Sequence, residues 1–179
     1  DGAVERVGAA DARLWLRGGR APVDRAAPAP DAAAAVRAAF ATLDGAGLPS
    51  PDAVGHRLVH GGPDHAAPER VTKELLADLR ALVPLAPLHL PKGLDGVEVV
   101  AERFPDLPQA VCFDTAFHHD LPEPARRLPL PRALTDETRI RRFGFHGLSY
   151  EYVLEHLGPA ARGRVVIAHL GNGASMAAV

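Results

Sequence analysis

Cysteine, lysine and long apolar runs are all scarce in this chain, and each shortage removes a class of protein. Cys112 is the only cysteine among 179 residues, so no internal disulfide can form. Its place inside the apolar run Gln109–Phe113 predicts a buried, inert thiol. Lysine occurs only at Lys73 and Lys92, and nowhere do Lys and Arg gather into a block. With a formal net charge of −2, the chain has no field to draw nucleic acid or an anionic membrane, so any anion must be bound by a local arrangement. No apolar stretch reaches the roughly 18 residues that cross a bilayer, and no signal peptide is recognisable. A cytoplasmic location, with neither nucleic acid nor membrane as partner, is the expectation. There is also no Walker A lysine motif.

What is present is a hydrophobic content of 47%, enough for one sizeable core or one core plus part of a second. A short strand is expected around Leu14-Trp15-Leu16, then a Pro- and Ala-rich loop from Ala26 to Pro30. Asp31 is placed to cap a helix running to about Leu43, with Val36, Phe40 and Leu43 on one face and Gly45 and Gly47 ending it. Val54–Val59 reads as a strand ending at Gly61-Gly62. Thr72 caps a helix whose stripe is Leu75, Leu76, Leu79, Leu82 and Val83. A further helix is expected from about Gly93 to Phe104. Gln109–Phe113 and Arg164–Leu170 have the bounded apolar character of buried strands, and Ser149 is placed to cap a helix ending near Gly158. Helices separating short strands predict an α/β fold. Asp1 is no initiator Met and Ala177-Ala178-Val179 stops within an apolar run, so a chain cut at both ends is expected.

Five polar motifs abut these apolar runs: HRLVHGG from His56, PLAPLHLP from Pro84, FDTAFH from Phe113, FGFHG from Phe143 and HLGNGAS from His169. They fall at strand ends and near helix starts, where open α/β sheets bind ligands. Arg57, in a strand otherwise made for a core, must be paired, and the partner is either a structural carboxylate or a carboxylate or phosphate ligand. Asp114 at the end of Gln109–Phe113 reads either as an ordinary turn residue or as a positioning and metal-organising acid for phosphoryl transfer. His146 lies between glycines that admit a ligand and phenylalanines that exclude water, and it reads equally as a satisfied core histidine. Gly171-Asn172-Gly173 is a hairpin signal as well as a candidate turn whose amides face phosphate oxygens.

As a set, in this order and spacing, the motifs closely resemble the acetate kinase family, densely from Val54 to Val179 and faintly before, at Val4–Gly8. The resemblance implies a sugar kinase/actin-like ATPase type of α/β fold, incomplete here: most of the first lobe (residues 1–117, the acetate and phosphoryl side) and the beginning of the second (residues 118–179, with a phosphate-binding loop). It implies reversible, Mg2+-dependent transfer of a phosphoryl group from ATP to acetate, giving acetyl phosphate and ADP by direct in-line transfer, in a homodimer. By the same resemblance Arg57 binds the acetate carboxylate or the phosphoryl group, and Val59, Leu88 and Phe145 line the pocket for the methyl group. His89, His146 and His169 contact the phosphoryl group, with His146 stabilising the transition state. Asp114 positions Mg2+ or the attacking acetate, and Gly171, Asn172 and Gly173 belong to the nucleotide phosphate loop.

The chain departs from the family pattern at Leu90, Leu148 and Tyr150, where the family usually has Asn, Thr and His. These changes open propionate or another short acid as an alternative substrate. Family chains are more than twice as long, so residues 1–179 alone are expected to be inactive, and a non-catalytic fragment is the rival reading. Two further enzyme classes are weaker. A serine hydrolase on Ser175 lacks the second glycine of a nucleophile elbow. A metal hydrolase on His118-His119-Asp120, or on His60 and His65, has no framing ligand spacing.

Overall fold

A computed structural model describes all of residues 1–179. Along the chain come strands β1 (Gly2–Glu5), β2 (Arg13–Leu16) and β3 (Val23–Ala26), helix α1 (Ala32–Gly45), strands β4 (Val54–Leu58) and β5 (Glu69–Arg70), helix α2 (Lys73–Ala81) and helix α3 (Leu90–Arg103). Strand β6 (Gln109–Phe113), helices α4 (Glu123–Arg126), α5 (Arg132–Thr138) and α6 (Gly147–Leu157), and strands β7 (Val166–Leu170) and β8 (Ala174–Ala178) follow. The architecture is mixed α/β. No helix is long and apolar enough to cross a membrane. The chain packs as two compact units, one of residues 1–56 and 87–109, the other of residues 57–86 and 110–179.

In the first unit β1, β2 and β3 form an antiparallel meander, with Gly2 opposite Leu16 and Arg13 opposite Ala26. Only β2 was expected as a strand from its own residues, with Val4–Gly8 matched to an early strand region by family resemblance alone; β1 and β3 are short, β1 half exposed and β3 mostly so, with no apolar alternation to announce them. Leu14 and Leu16 are buried, and Ala12, Ala29 and Ala35 cluster with Val4. Asp31 caps α1 as expected, its carboxylate accepting from Ala34 N at 2.7 Å. The deepest residues of α1 are Ala35 and Thr42, with Val36, Phe40 and Leu43 half-buried. Phe40 meets Phe104 edge to face at 5.0 Å. Helix α3 starts three residues earlier than expected, because Pro91 sits in its first turn, where the missing N–H has no partner to lose. It buries Leu90, Leu94, Val97, Val99 and Val100.

Strands β4, β6 and β5 form a sheet in the order β4-β6-β5. Val54 N donates to Pro108 O and Asp114 N to Leu58 O, so β4 and β6 advance together and run parallel. Strand β5 pairs antiparallel with β6. Cys112 is half-buried rather than buried, because it alternates with the inward-facing Val111 and Phe113.

In the second unit Thr72 Oγ1 accepts from Leu75 N at 3.2 Å and caps α2, which buries Leu75 and Leu79. Strands β7 and β8 form an antiparallel hairpin in which His169 faces Ser175 and Leu170 faces Ala174. The expectation that β7 is buried is corrected: Ile167 faces inward, but Val166 and Leu170 are 72% and 82% exposed. The apolar run fills both faces of the strand, and only one is covered in this unit. Ser149 does not cap α6. The helix begins at Gly147, after His146 in the left-handed conformation (φ 60°), and Ser149 lies in its first turn.

Candidate active site

The second unit gathers Arg57, Asp114, His146, His169 and the Gly171–Gly173 turn. Asp114 directly follows β6 and its side chain is 2% exposed, whereas the Arg57 side chain is 58% exposed. The guanidinium grips the carboxylate in a fork, Nε to Oδ1 at 2.9 Å and one terminal nitrogen to Oδ2 at 2.5 Å. That bond raises the Arg57 pKa further above its already high value. The structural reading of Arg57 holds: it satisfies a buried acid on one edge, and its other edge is presented outward. Thr115, buried beside Asp114, accepts from Gly61 N at 3.0 Å through Oγ1 and holds the loop after β4 against the end of β6.

The FGFHG segment is pinned to the same strand end. Gly147 N donates to Asp114 O at 2.9 Å. A Cβ on Gly147 would lie 2.4 Å from that oxygen and 2.5 Å from Phe117 Cβ, so only glycine allows the approach. His146, just before it, bears the strain of a positive φ in a non-glycine residue and projects its ring beside the β7–β8 turn. The Nε2 edge of His146 faces Gly173, and that of His169 faces Gly171.

The two imidazoles stack, centroids 4.0 Å apart and planes 8° from parallel. Each is held at Nδ1 by a serine: His146 by Ser175 Oγ at 2.8 Å, His169 by Ser149 Oγ at 3.1 Å. Ser175 Oγ also bonds the hydroxyl of Tyr150, which is fully buried. Burial lowers the His146 pKa first and the neighbouring His169 second, Arg57 also lowering it, while Asp114 acts in the opposite direction.

The other sequence candidates are more scattered. Val59 follows β4 and is half-buried, and Phe145 is 37% exposed with its ring edge on His60. Leu88 and His89 belong to the first unit, both exposed at the entrance to α3. Leu90 is a fully buried core residue of α3. In the turn, Gly171 N donates to Gly173 O at 3.1 Å, so that amide is taken up within the turn, unlike those of Asn172 and Gly173. Ser149, Ser175 and Tyr150 were missed as partners of the histidines. Their only sequence signal was an out-of-place hydroxyl in a helix start or a strand.

No three His, Cys, Asp or Glu side chains come together to hold a metal ion. Asp114 is a single carboxylate with both oxygens on Arg57, which does not fit a resident cation held by protein alone. A Mg2+ that arrives on a nucleotide and keeps most of its waters would ask at most one carboxylate of the protein. His60 and His65 are otherwise engaged: His60 Nδ1 accepts from Gly62 N, and His65 Nδ1 meets Glu69 at 2.8 Å. His118 Nε2 donates to Phe145 O. The Ser175–His146 contact has the look of a nucleophilic dyad, but the far nitrogen of the ring faces glycine, not an orienting acid.

The model of the acetokinase family matches residues 1–179. The chain belongs to that family. It is 46% identical over 191 residues to the acetate kinase of Streptomyces griseus subsp. griseus, covering 99% of this chain and 46% of that one. It is 56% identical over 132 residues to an acetate kinase of Rhodopseudomonas palustris, covering 71% of this chain and 33% of that one. Among solved structures, Porphyromonas gingivalis acetate kinase superposes with a TM-score of 0.81 at 36% identity, over 99% of this chain and 48% of that one. A propionate kinase of Francisella tularensis subsp. tularensis gives 0.87 at 30% identity, over 98% and 47%. The chain thus spans about half the length of the relatives it matches over nearly its whole extent, and it carries that part of the acetokinase α/β fold.

Proposed function

We propose that these residues are part of a carboxylate kinase that transfers the γ-phosphoryl group of ATP to acetate, reversibly and with Mg2+, giving acetyl phosphate and ADP. The observation that carries this reading is the stacked His146–His169 pair beside the Gly171–Gly173 turn, in the unit that also holds Arg57 clamped by Asp114. Phosphoryl transfer passes through a loose transition state with charge spread over the equatorial oxygens, so it calls for positioned donors more than covalent chemistry. The outer edge of Arg57, the Nε2 edges of the two histidines and the amides of Asn172 and Gly173 are such donors.

In the forward direction an oxygen of the acetate carboxylate forms a bond to the γ-phosphorus. The bond from that phosphorus to the bridging oxygen breaks, and ADP leaves with the electron pair. A carboxylate is ionised at neutral pH and needs no general base. Mg2+, when bound, neutralises charge on the phosphate oxygens. On this reading Arg57 orients the carboxylate or the phosphoryl group, His146 and His169 donate to the equatorial oxygens, and Asp114 holds Arg57 and contributes to placing the metal-bound nucleotide. Val59 and Phe145 belong to the acceptor side, and the family likeness assigns Leu88 and His89 there as well. We assign residues 1–117 to the first lobe of the whole protein and 118–179 to the start of the second, and take the whole protein to be a homodimer.

The likeness to a propionate kinase, together with Leu148 in place of the family's usual Thr, favours a second reading in which the acceptor is a slightly longer acid. An apolar pocket discriminates one methylene by only about 1–3 kcal/mol, so the two acids are separated by degree. Hydroxamate trapping of the acyl phosphate made by the whole protein from ATP, Mg2+ and either acid tests both. Acyl phosphate that disappears in Arg57→Ala supports the kinase reading, and its absence with every short acid overturns it. The ratio of kcat/KM values names the acid.

A further inference from the structure

Tyr150 is wholly buried, yet its hydroxyl takes no part in the roles assigned so far. It stands one helical turn beyond His146, and Tyr150 N bonds His146 O. The ring is wedged against Phe117 and His118, centroids 5.5 and 5.8 Å away, which fixes where the phenol oxygen lies. That oxygen meets Ser175 Oγ, and Ser175 Oγ meets His146 Nδ1 at 2.8 Å.

The proton order along this chain of three groups is decided by counting hydrogens. A phenol and a serine hydroxyl each carry one, and an imidazole nitrogen either carries one or accepts. If His146 Nδ1–H donated to Ser175, the serine would either donate to Tyr150 and leave the phenolic hydrogen pointing into packed rings, or accept from both neighbours and leave its own hydrogen with no partner in the protein. The Tyr150 hydroxyl has Ser175 as its sole hydrogen-bond partner, so the first arrangement strands a buried donor, and Ser175 Oγ has only His146 and Tyr150 as partners, so the second strands the serine's hydrogen. In the reverse order Tyr150 donates to Ser175, Ser175 donates to Nδ1, and every hydrogen is paired. His169 has no such constraint, because its partner Ser149 sits at the helix start with no buried hydroxyl behind it.

We propose that Tyr150 is a positioning residue which, through Ser175 Oγ, fixes His146 as the neutral tautomer protonated on Nε2, the nitrogen facing the Gly171–Gly173 turn. His146 then offers an N–H donor to a phosphoryl oxygen without having to take up a proton, while its ring stays stacked on His169. The tautomer claim stands on the geometry alone. Its catalytic consequence rests on the carboxylate-kinase reading above.

The test is a long-range 1H–15N correlation spectrum of the histidine rings in the whole protein at fixed neutral pH, with His146 assigned by its loss in His146→Gln. The wild type is expected to show His146 Nδ1 as an unprotonated acceptor and Nε2 as the N–H. Tyr150→Phe, which keeps the ring, should give mixed tautomers. Ser175→Ala severs the same link from the half-exposed side, should give the same mixture, and serves if the tyrosine variant fails to fold. The double variant should add nothing further. In the acyl phosphate assay Tyr150→Phe should lower kcat about tenfold with KM for the carboxylate unchanged, as for a partner that orients a catalytic ring. A wild-type His146 protonated on Nδ1, or a tautomer indifferent to both variants, would overturn the proposal. The predicted tautomer in a protein that makes no acyl phosphate would support it and sink the kinase reading instead.

Discussion

His146 and His169 are cross-braced: the ring from the start of α6 is held by Ser175 of β8, and the ring from β7 is held by Ser149 of α6. Helix and hairpin thus hold each other's imidazoles in a stack 4.0 Å apart. Two imidazolium rings at that distance repel, so one proton on the pair disfavours a second.

The first prediction follows from that stack. The His146 pKa lies below the ordinary histidine value because of burial first and His169 second. His169→Gln removes the second cause and leaves the first, so a histidine titration followed by NMR should show the His146 pKa rising yet staying below the ordinary value. A fall on substitution would mean that His169 supports the charged ring.

Arg57 and Asp114 form an asymmetric pair, one partner more than half exposed and the other buried. Arg57→Ala strands a buried carboxylate, whereas Asp114→Asn leaves a guanidinium that water can solvate. Arg57→Ala should therefore destabilise the fold by about 2 kcal/mol in denaturant unfolding, and adding Asp114→Asn to it should recover part of the loss. If the double variant is no more stable than Arg57→Ala alone, the penalty does not come from the stranded charge.

Much of this was legible in the sequence. The caps at Asp31 and Thr72 and the strand before Asp114 rest on local chemistry, and local chemistry carries through to the structure. The site motifs were visible because strands end where polar residues begin. What was hidden depended on distant partners. Ser149 has the residue type of a helix cap, but the helix had already begun at the glycine that Asp114 O requires, and its hydroxyl turned to His169 instead. Tyr150 read only as a departure from the family pattern, and only the position of Ser175, 25 residues later, shows that its hydroxyl is used. The burial of β7 was misjudged because an apolar run does not say how many of its faces are covered.

His60 supplies a pH prediction. It is 2% exposed, packs edge-on against Phe143 and Phe145, and accepts at Nδ1 from Gly62 N. Burial lowers its pKa in the folded state. In the window between that lowered value and the ordinary one near 6.5, the unfolded chain binds the proton and the folded chain does not. The stabilisation is therefore whole above the ordinary value and is lost as pH falls through the window. Unfolding free energy should decline on acidification below the ordinary histidine value near 6.5, and His60→Gln should flatten that part of the profile. An unchanged slope in the variant would assign the decline to other groups.

Two glycines make the last prediction by contrast. Gly45 ends α1 with no positive φ and with nothing within 4 Å of where a Cβ would stand, so alanine there removes backbone freedom from the unfolded chain without a clash. Gly45→Ala should raise stability by about 0.5 kcal/mol. Gly147 has the opposite surroundings: its added Cβ meets the Asp114 carbonyl oxygen at 2.4 Å, and that atom is backbone at the end of a buried strand and cannot swing aside. Gly147→Ala should cost about 2 kcal/mol or more, as overpacking against fixed atoms does. The same shift would carry His146 away from Ser175 and His169, so acyl phosphate formation should fall further than the lost stability accounts for at a temperature where the variant is still folded. Thermal unfolding of both variants, read beside activity at low temperature, separates the two effects; equal behaviour of Gly45→Ala and Gly147→Ala would show that the contact between Gly147 and Asp114 is not what holds the histidine in place.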